Sequence, residues 1–232
     1  MNTKVYAYCE RGSDPGFWAE PANAITNGAF FIAALLALWL WLSQPAGRRG
    51  AAELALIAIV FVIGTGSFLF HTLATRWAAI ADTVPIGIFM VSYLGYALRR
   101  YFGWSWLATV AALALFFVSL WQSSVVRCGG GPCLNGSVAY GPAFLAMVLI
   151  GGVLLSRGHS AGRYVLAAGL TFAVSLTFRS IDRLICAETA LTGGGSIGTH
   201  FAWHLLNAAL LYLLLRAAIL HGARETVARE PA

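Results

Sequence analysis

Charge is what this sequence has least of. Only 10% of its 232 residues are Asp, Glu, Lys or Arg, and Lys4 is the single lysine. A soluble domain carries about 25% charged residues, so a water-facing globule is excluded. A transmembrane β-barrel is excluded as well. Its strands would alternate apolar and polar residues, whereas the apolar runs here are apolar all round. A basic-then-apolar leader is also lacking. The first 22 residues, MNTKVYAYCERGSDPGFWAEPA, are polar and mixed, so the first apolar run is expected to remain in the mature protein. There is no low-complexity tract and no internal repeat.

Long apolar runs are what the chain does have, and 59% of it is hydrophobic. Seven stretches approach or exceed the ~18 residues that suggest a membrane-spanning helix. They cover roughly 23–42, 53–73, 78–98, 104–121, 137–156, 161–185 and 198–220. The expected fold is all-α: a polytopic seven-transmembrane bundle forming one domain over 1–232. Residues 1–22 form an N-terminal segment outside the cytoplasm, and 221–232 a cytoplasmic tail. The arginines set this orientation. Arg48, Arg49, Arg99, Arg100, Arg157, Arg163, Arg224 and Arg229 fall on one side of such a topology; Lys4, Arg11, Arg76 and Arg127 fall on the other. The positive-inside rule then puts the N-terminus outside. The net charge of +6 is accounted for by this collar facing anionic lipid head groups, and calls for no nucleic acid. Short loops and an alanine- and arginine-rich composition have a prokaryotic look, so a bacterial inner (plasma) membrane is expected.

The four cysteines, Cys9, Cys128, Cys133 and Cys186, fall on or near the outer side. An even count in an oxidising compartment suggests disulfides. Cys128 and Cys133 could close the loop RCGGGPC, and Cys9 could tether the N-terminal segment to the end of span 6 through Cys186. Four free thiols is the other reading.

Several polar side chains then share one depth. Ser67 and His71 lie four residues apart, on one face near the outer end of span 2. Asp82 follows a short turn and lies in the first turns of span 3. His200 and His204, again four apart, share a face at the start of span 7. Two histidines at i, i+4 are a standard way for one helix to give imidazoles to zinc. His71 completes a three-His set with a fourth position left for water, the form of a catalytic site. Zinc would lower the pKa of such a water to about 7. Asp82 would take its proton and later pass it to a leaving group, and Ser67 would steady the water or the oxyanion. Alone, Asp82 could be a carboxylate favoured at a helix N-terminus, and paired histidines could instead hold a b-type haem. Arg179 and Asp182, three residues apart near the end of span 6, are expected to pair with each other; the alternative is that Asp182 orients a ligating imidazole. Tyr8, Trp77 and Trp203 suit an interfacial aromatic belt. Pro85 could kink span 3, and Gly64 and Gly66 could allow close helix approach.

These residues also form a pattern. Gly64, Gly66, Ser67, Phe70 and His71, with Asp82 eleven residues after the histidine, resemble the alkaline ceramidases. That family sits in a superfamily of seven-span membrane hydrolases that includes the adiponectin receptors. The late His200 and His204 with Trp203 between them are similar too. So are the N-terminal run Tyr8, Cys9, Glu10, then Ala19, Glu20, Asn23, Thr26 and Asn27, and the later Ile181, Asp182 and Cys186.

The resemblance implies zinc held by His71, His200 and His204, with Ser67 and Asp82 assisting, and a Cys9–Cys186 disulfide. It implies cleavage of the amide of ceramide, or of another N-acyl lipid, to a fatty acid and an amine such as a sphingoid base. It extends to calcium through Glu10, Glu20 and Asn23, whose oxygen chemistry suits that ion. Here, however, Ala7 stands where the family has an Asp, and Glu10 and Glu20 are one residue closer together. The bland alternative for this segment is a helix cap. Two rival functions remain open at this stage: a same-fold receptor or signalling protein with structural zinc, and a haem protein, which a Soret band would reveal.

Overall fold

The computed structural model describes residues 1–129, 131–192 and 194–222. Arg224 and Arg229 of the orientation argument, and most of the 221–232 tail, lie outside them. The α-helices are α1 (Pro21–Thr26), α2 (Gly28–Leu42), α3 (Ala51–Leu73), α4 (Arg76–Arg100), α5 (Trp106–Ser124), α6 (Gly141–Ser156), α7 (Ala161–Ile181) and α8 (His200–His221). A two-residue hairpin, β1 (Arg127–Cys128) and β2 (Gly131–Pro132), precedes a short 3-10 stretch before α6. With α1 and α2 counted as one span, seven helical segments among the described residues are long and apolar enough to cross a membrane. The architecture is thus an all-α, multi-pass bundle, and span limits read from hydropathy agree with it to within a few residues.

Local chemistry sets the helix ends. Pro21 lies in the first turn of α1, where its missing N–H costs nothing. Ser105 caps α5, its Oγ accepting from the Ala108 amide at 3.2 Å. α3 stops where Ala74 turns left-handed (φ 47°), and α4 begins two residues later. The hairpin between them is tight because Gly66 has no side chain, while Gly64 makes room for Phe30 and Phe31 of α2. A β-carbon at Gly66 would come within 1.9 Å of the Ala81 carbonyl oxygen. That carbonyl is the one Pro85 cannot donate to, four residues further along α4. α4 nonetheless runs through Pro85 as one helix.

Burial separates central from peripheral helices. About half of the most apolar window is buried in α3 (50%) and α8 (56%), against 11% in α5. α8 packs on α7 and α2, and α3 packs on α4. Leu107, Leu115, Phe117 and Trp121 of α5 are exposed. A contiguous apolar face of this kind marks a membrane or partner surface rather than a water-facing one.

The N-terminal segment folds back over the α3–α4 turn. The Val5 amide donates to the Ala74 carbonyl at 2.7 Å, and Tyr8 packs with Phe70 and Ala78 in a small second core. Cys9 is bonded to Cys186, which ties this segment to the stretch after α7 across 177 residues of sequence. Cys128 and Cys133 are bonded across the hairpin, so the four thiols are all paired.

Two expectations need correcting here. Arg179 and Asp182 do not pair. α7 ends at Ile181, so Asp182 leaves the face that Arg179 occupies. Its carboxylate instead accepts from the amides of Cys9 (3.0 Å), Thr199 (2.7 Å) and His200 (3.1 Å), which closes the open N-terminus of α8. Arg179 turns to the Tyr8 hydroxyl at 2.9 Å and to the rings of Tyr8, Tyr140 and Trp203. Nor do Tyr8 and Trp203 lie in an interfacial belt. Both are buried, because ring-to-ring and cation–ring contacts hold them in the interior.

Candidate metal centre and cavity

The α3–α4 hairpin and α8 bring three fully buried imidazoles together. The ring centroids of His71 and His204 are 4.6 Å apart, those of His200 and His204 4.7 Å, and those of His71 and His200 5.2 Å. One ring nitrogen from each can be chosen so that all lie within 4.8 Å of one another. On α8 this follows from the i, i+4 spacing. His71 joins them from the last turn of α3.

Each outer ring nitrogen of two of these histidines is anchored. His71 Nδ1 lies 2.6 Å from Glu20 Oε2. His204 Nδ1 lies 3.0 Å from the Thr26 hydroxyl, which itself donates back to the Ala22 carbonyl at 2.7 Å. A hydroxyl that gives its proton to a carbonyl is left to accept, so the Nδ1–H of His204 is the donor. Both rings are thereby held as Nδ1–H tautomers with Nε2 bare. His71 Nε2, His204 Nε2 and His200 Nδ1 are buried without a protein partner. Buried polar atoms are nearly always paired, so a bare nitrogen on each of three clustered imidazoles is what a metal ion would satisfy. The outer anchors are the kind that orient metal-ligating imidazoles, and the donor set suits zinc.

His200 is held differently. Tyr8 lies flat against it, with centroids 3.6 Å apart and planes 16° from parallel, and Asp182 grips its backbone amide. Burial keeps the Tyr8 hydroxyl protonated far above neutral pH. The Glu20 carboxyl is pushed up by burial, but the hydrogen bonds from His71 and Arg11 outweigh that and hold it below the usual carboxylate range.

Ser67 and Asp82 are both buried and line one apolar cavity. Its internal volume is about 80 Å³, well below the ~300–1,000 Å³ of ligand pockets, so the side chains along it must move apart to admit a lipid chain. The cavity is bounded by Asp82 to Leu94 on α4 and by Trp203 to Leu214 on α8. At 1.5 Å rise per residue these walls are roughly 18 and 16 Å long. Polar chemistry sits at one end and Phe89, Met90, Phe116, Ile150 and Leu214 fill out the rest.

The calcium candidates Glu10, Glu20 and Asn23 are neighbours joined by hydrogen bonds. Glu10 accepts from the Ala22 and Asn23 amides (2.6 and 2.8 Å) and so caps α1. Burial, opposed by those two bonds, leaves its carboxyl above the ordinary value. Asn23 is inside α1 rather than at its cap and donates to Glu20 at 3.0 Å. Glu20 therefore serves His71, Asn23 and Arg11. Sequence reasoning missed Thr26, Arg11 and the ring of Tyr8 as parts of the site. The signal available for them was a run of polar residues just before an apolar span.

Fold and site together define a multi-pass membrane protein with a buried three-histidine cluster and an apolar cavity lined by Ser67, one helical turn from His71, and by Asp82. The family model described as Ceramidase matches residues 7–230. The chain belongs to the ceramidase family, and that membership implies an amide-cleaving hydrolase. Among curated proteins, none matches the chain.

Proposed function

We propose that this protein is a zinc-dependent intramembrane amidase that cleaves ceramide or a related N-acyl lipid to a fatty acid and an amine. The observation that carries this is a cluster of three buried imidazoles with bare nitrogens, beside an apolar cavity that Ser67, one helical turn from His71, and Asp82 line. Membership of the ceramidase family supports the same reaction class.

When bound by His71, His200 and His204, zinc would polarise the amide carbonyl and acidify a water. The chain's own residues do the rest. The cavity walls take the acyl chain and exclude bulk water, which strengthens every charge interaction at its head. Asp82 accepts the proton of the attacking water and returns it to the departing amine. Ser67 donates to the carbonyl oxygen as negative charge develops there. Glu20 and Thr26 keep the His71 and His204 rings in the tautomer that presents Nε2. The arginine distribution supports an N-terminus outside the cytoplasm, and the composition supports a bacterial plasma membrane.

The test is mass spectrometry of products from a panel of N-acyl lipids incubated with purified, zinc-loaded protein. Free fatty acid and amine in equal amounts are expected, with no product from His71→Ala. Intact lipids throughout the panel would sink the amidase reading.

A further inference from the structure

Arg11 is 2% exposed, and its guanidinium is surrounded by oxygen. Nε donates to Glu20 Oε1 at 2.5 Å. One terminal nitrogen donates to the carbonyls of Asp14 (3.1 Å) and Gly16 (2.8 Å). The other donates to the carbonyls of His71 (2.7 Å) and Thr72 (3.3 Å). A guanidinium has five N–H donors, and these five oxygens use all of them. A buried charge is tolerated only when it is paired and hydrogen-bonded to this degree.

The oxygens come from three places: the loop at Asp14 and Gly16, Glu20 ahead of α1, and the last turn of α3. An α-helix leaves its final four carbonyls without helical partners. In α3, Phe70 is satisfied by the Ala74 amide, His71 and Thr72 by Arg11, and Leu73 by Lys4 Nζ at 2.8 Å. The C-terminal end of the helix dipole also favours a cation there. One carboxylate and four carbonyl oxygens are donors of the kind calcium takes, one short of the low end of the ~6–8 it gathers. In this chain a side chain fills that place, while Glu10 is committed to backbone amides.

We infer that Arg11 is a built-in cation that replaces a bound calcium ion in the N-terminal segment. It ties that segment to the end of α3, holds the Glu20 carboxylate against His71, and makes the protein independent of calcium. Arg11 is a positioning residue, acting on His71 through Glu20. Only this last effect rests on the metal-centre reading; the replacement of the ion does not.

The experiment uses the full-length protein in detergent and reads melting temperature and zinc retention, not turnover. Wild type should melt at the same temperature in millimolar calcium and in a calcium chelator that spares zinc. Arg11→Ala should melt several degrees lower and lose zinc to a competing dye about tenfold more readily, the lower end of the effect of outer-shell partners. Millimolar guanidinium or calcium should raise the melting temperature of Arg11→Ala and leave wild type unmoved. Arg11→Lys keeps the charge with three donors and should fall between the two. It serves in the same titrations if Arg11→Ala does not fold. A rise in the melting temperature of wild type with calcium, or one calcium retained per chain, would overturn the inference. So would an Arg11→Ala protein that melts like wild type or that neither cation restores. Because no arm measures lipid cleavage, failure of the amidase reading would leave these outcomes intact.

Discussion

The phenol of Tyr8 lies 3.6 Å from the imidazole of His200, ring on ring, and its hydroxyl is held by Arg179 at 2.9 Å. A residue from the start of the chain thus fixes the plane of an imidazole near its end. An aromatic contact of this kind is worth about 0.5–1.5 kcal/mol beyond buried area. Tyr8→Leu should therefore weaken zinc binding by roughly two- to tenfold in a dye-competition assay. Tyr8→Phe keeps the ring and should stay close to wild type. Equal damage from both would assign the effect to the Arg179 bond instead.

Thr26 accepts the Nδ1–H of His204. Thr26→Val keeps the shape and deletes the acceptor, so zinc affinity should drop by about 10–100-fold, the usual effect of an outer-shell partner. Thr26→Ser should restore most of it. Isothermal titration with zinc would read both.

Metal retention and turnover should separate at Asp82. Elemental analysis of His71→Ala, His200→Ala or His204→Ala should show the loss of about one zinc per chain expected of a three-ligand site. Asp82→Asn should keep its zinc and lose hydrolysis by about 10²–10⁴-fold, the range of general acid–base assistance. Full activity in Asp82→Asn would remove it from the mechanism.

The two disulfides should differ sharply in what they contribute to stability. Cys9–Cys186 closes a loop of 177 residues and Cys128–Cys133 one of five. Stabilisation through the unfolded state grows with loop length, to about 4–5 kcal/mol for loops on the order of 100 residues. Cys9→Ser with Cys186→Ser should lower the melting temperature clearly, and Cys128→Ser with Cys133→Ser only slightly. Comparable shifts in the two double variants would contradict this.

Gly66 abuts the Ala81 carbonyl, one residue before Asp82. Gly66→Ala should force α3 and α4 apart beside the site, at about the 1–3 kcal/mol of overpacking. A thermal melt and an activity assay should both register it, while Gly28→Ala, which meets nothing within 4 Å, should register in neither.

Much of this arrangement was legible in the order of residues. Apolar runs at membrane length located the spans, because lipid admits few other chain geometries. The i, i+4 spacing placed His200 and His204 on one face, since helical geometry is local. What stayed hidden was set by partners far away in sequence. Glu20 reads from the sequence as an oxygen ligand, but nothing local shows that His71, 51 residues on, and Arg11 bond its two oxygens. Asp182 and Arg179 look like an ion pair at helical spacing; the helix ends between them, and each finds a better partner elsewhere. Tyr8 and Trp203 have the amphipathic character of interfacial residues, and only tertiary packing decides that they turn inward.

The three-histidine centre draws on residues 8–26 for its supports, on α3 for one ligand and on α8 for two. The earliest and latest parts of the chain must therefore meet before it can exist. While the ribosome is still making the seventh span, the nascent protein has no metal centre to fill. The lipid cleavage proposed for this protein would be hazardous inside a half-built chain, and the order of synthesis would delay it until α8 is in place.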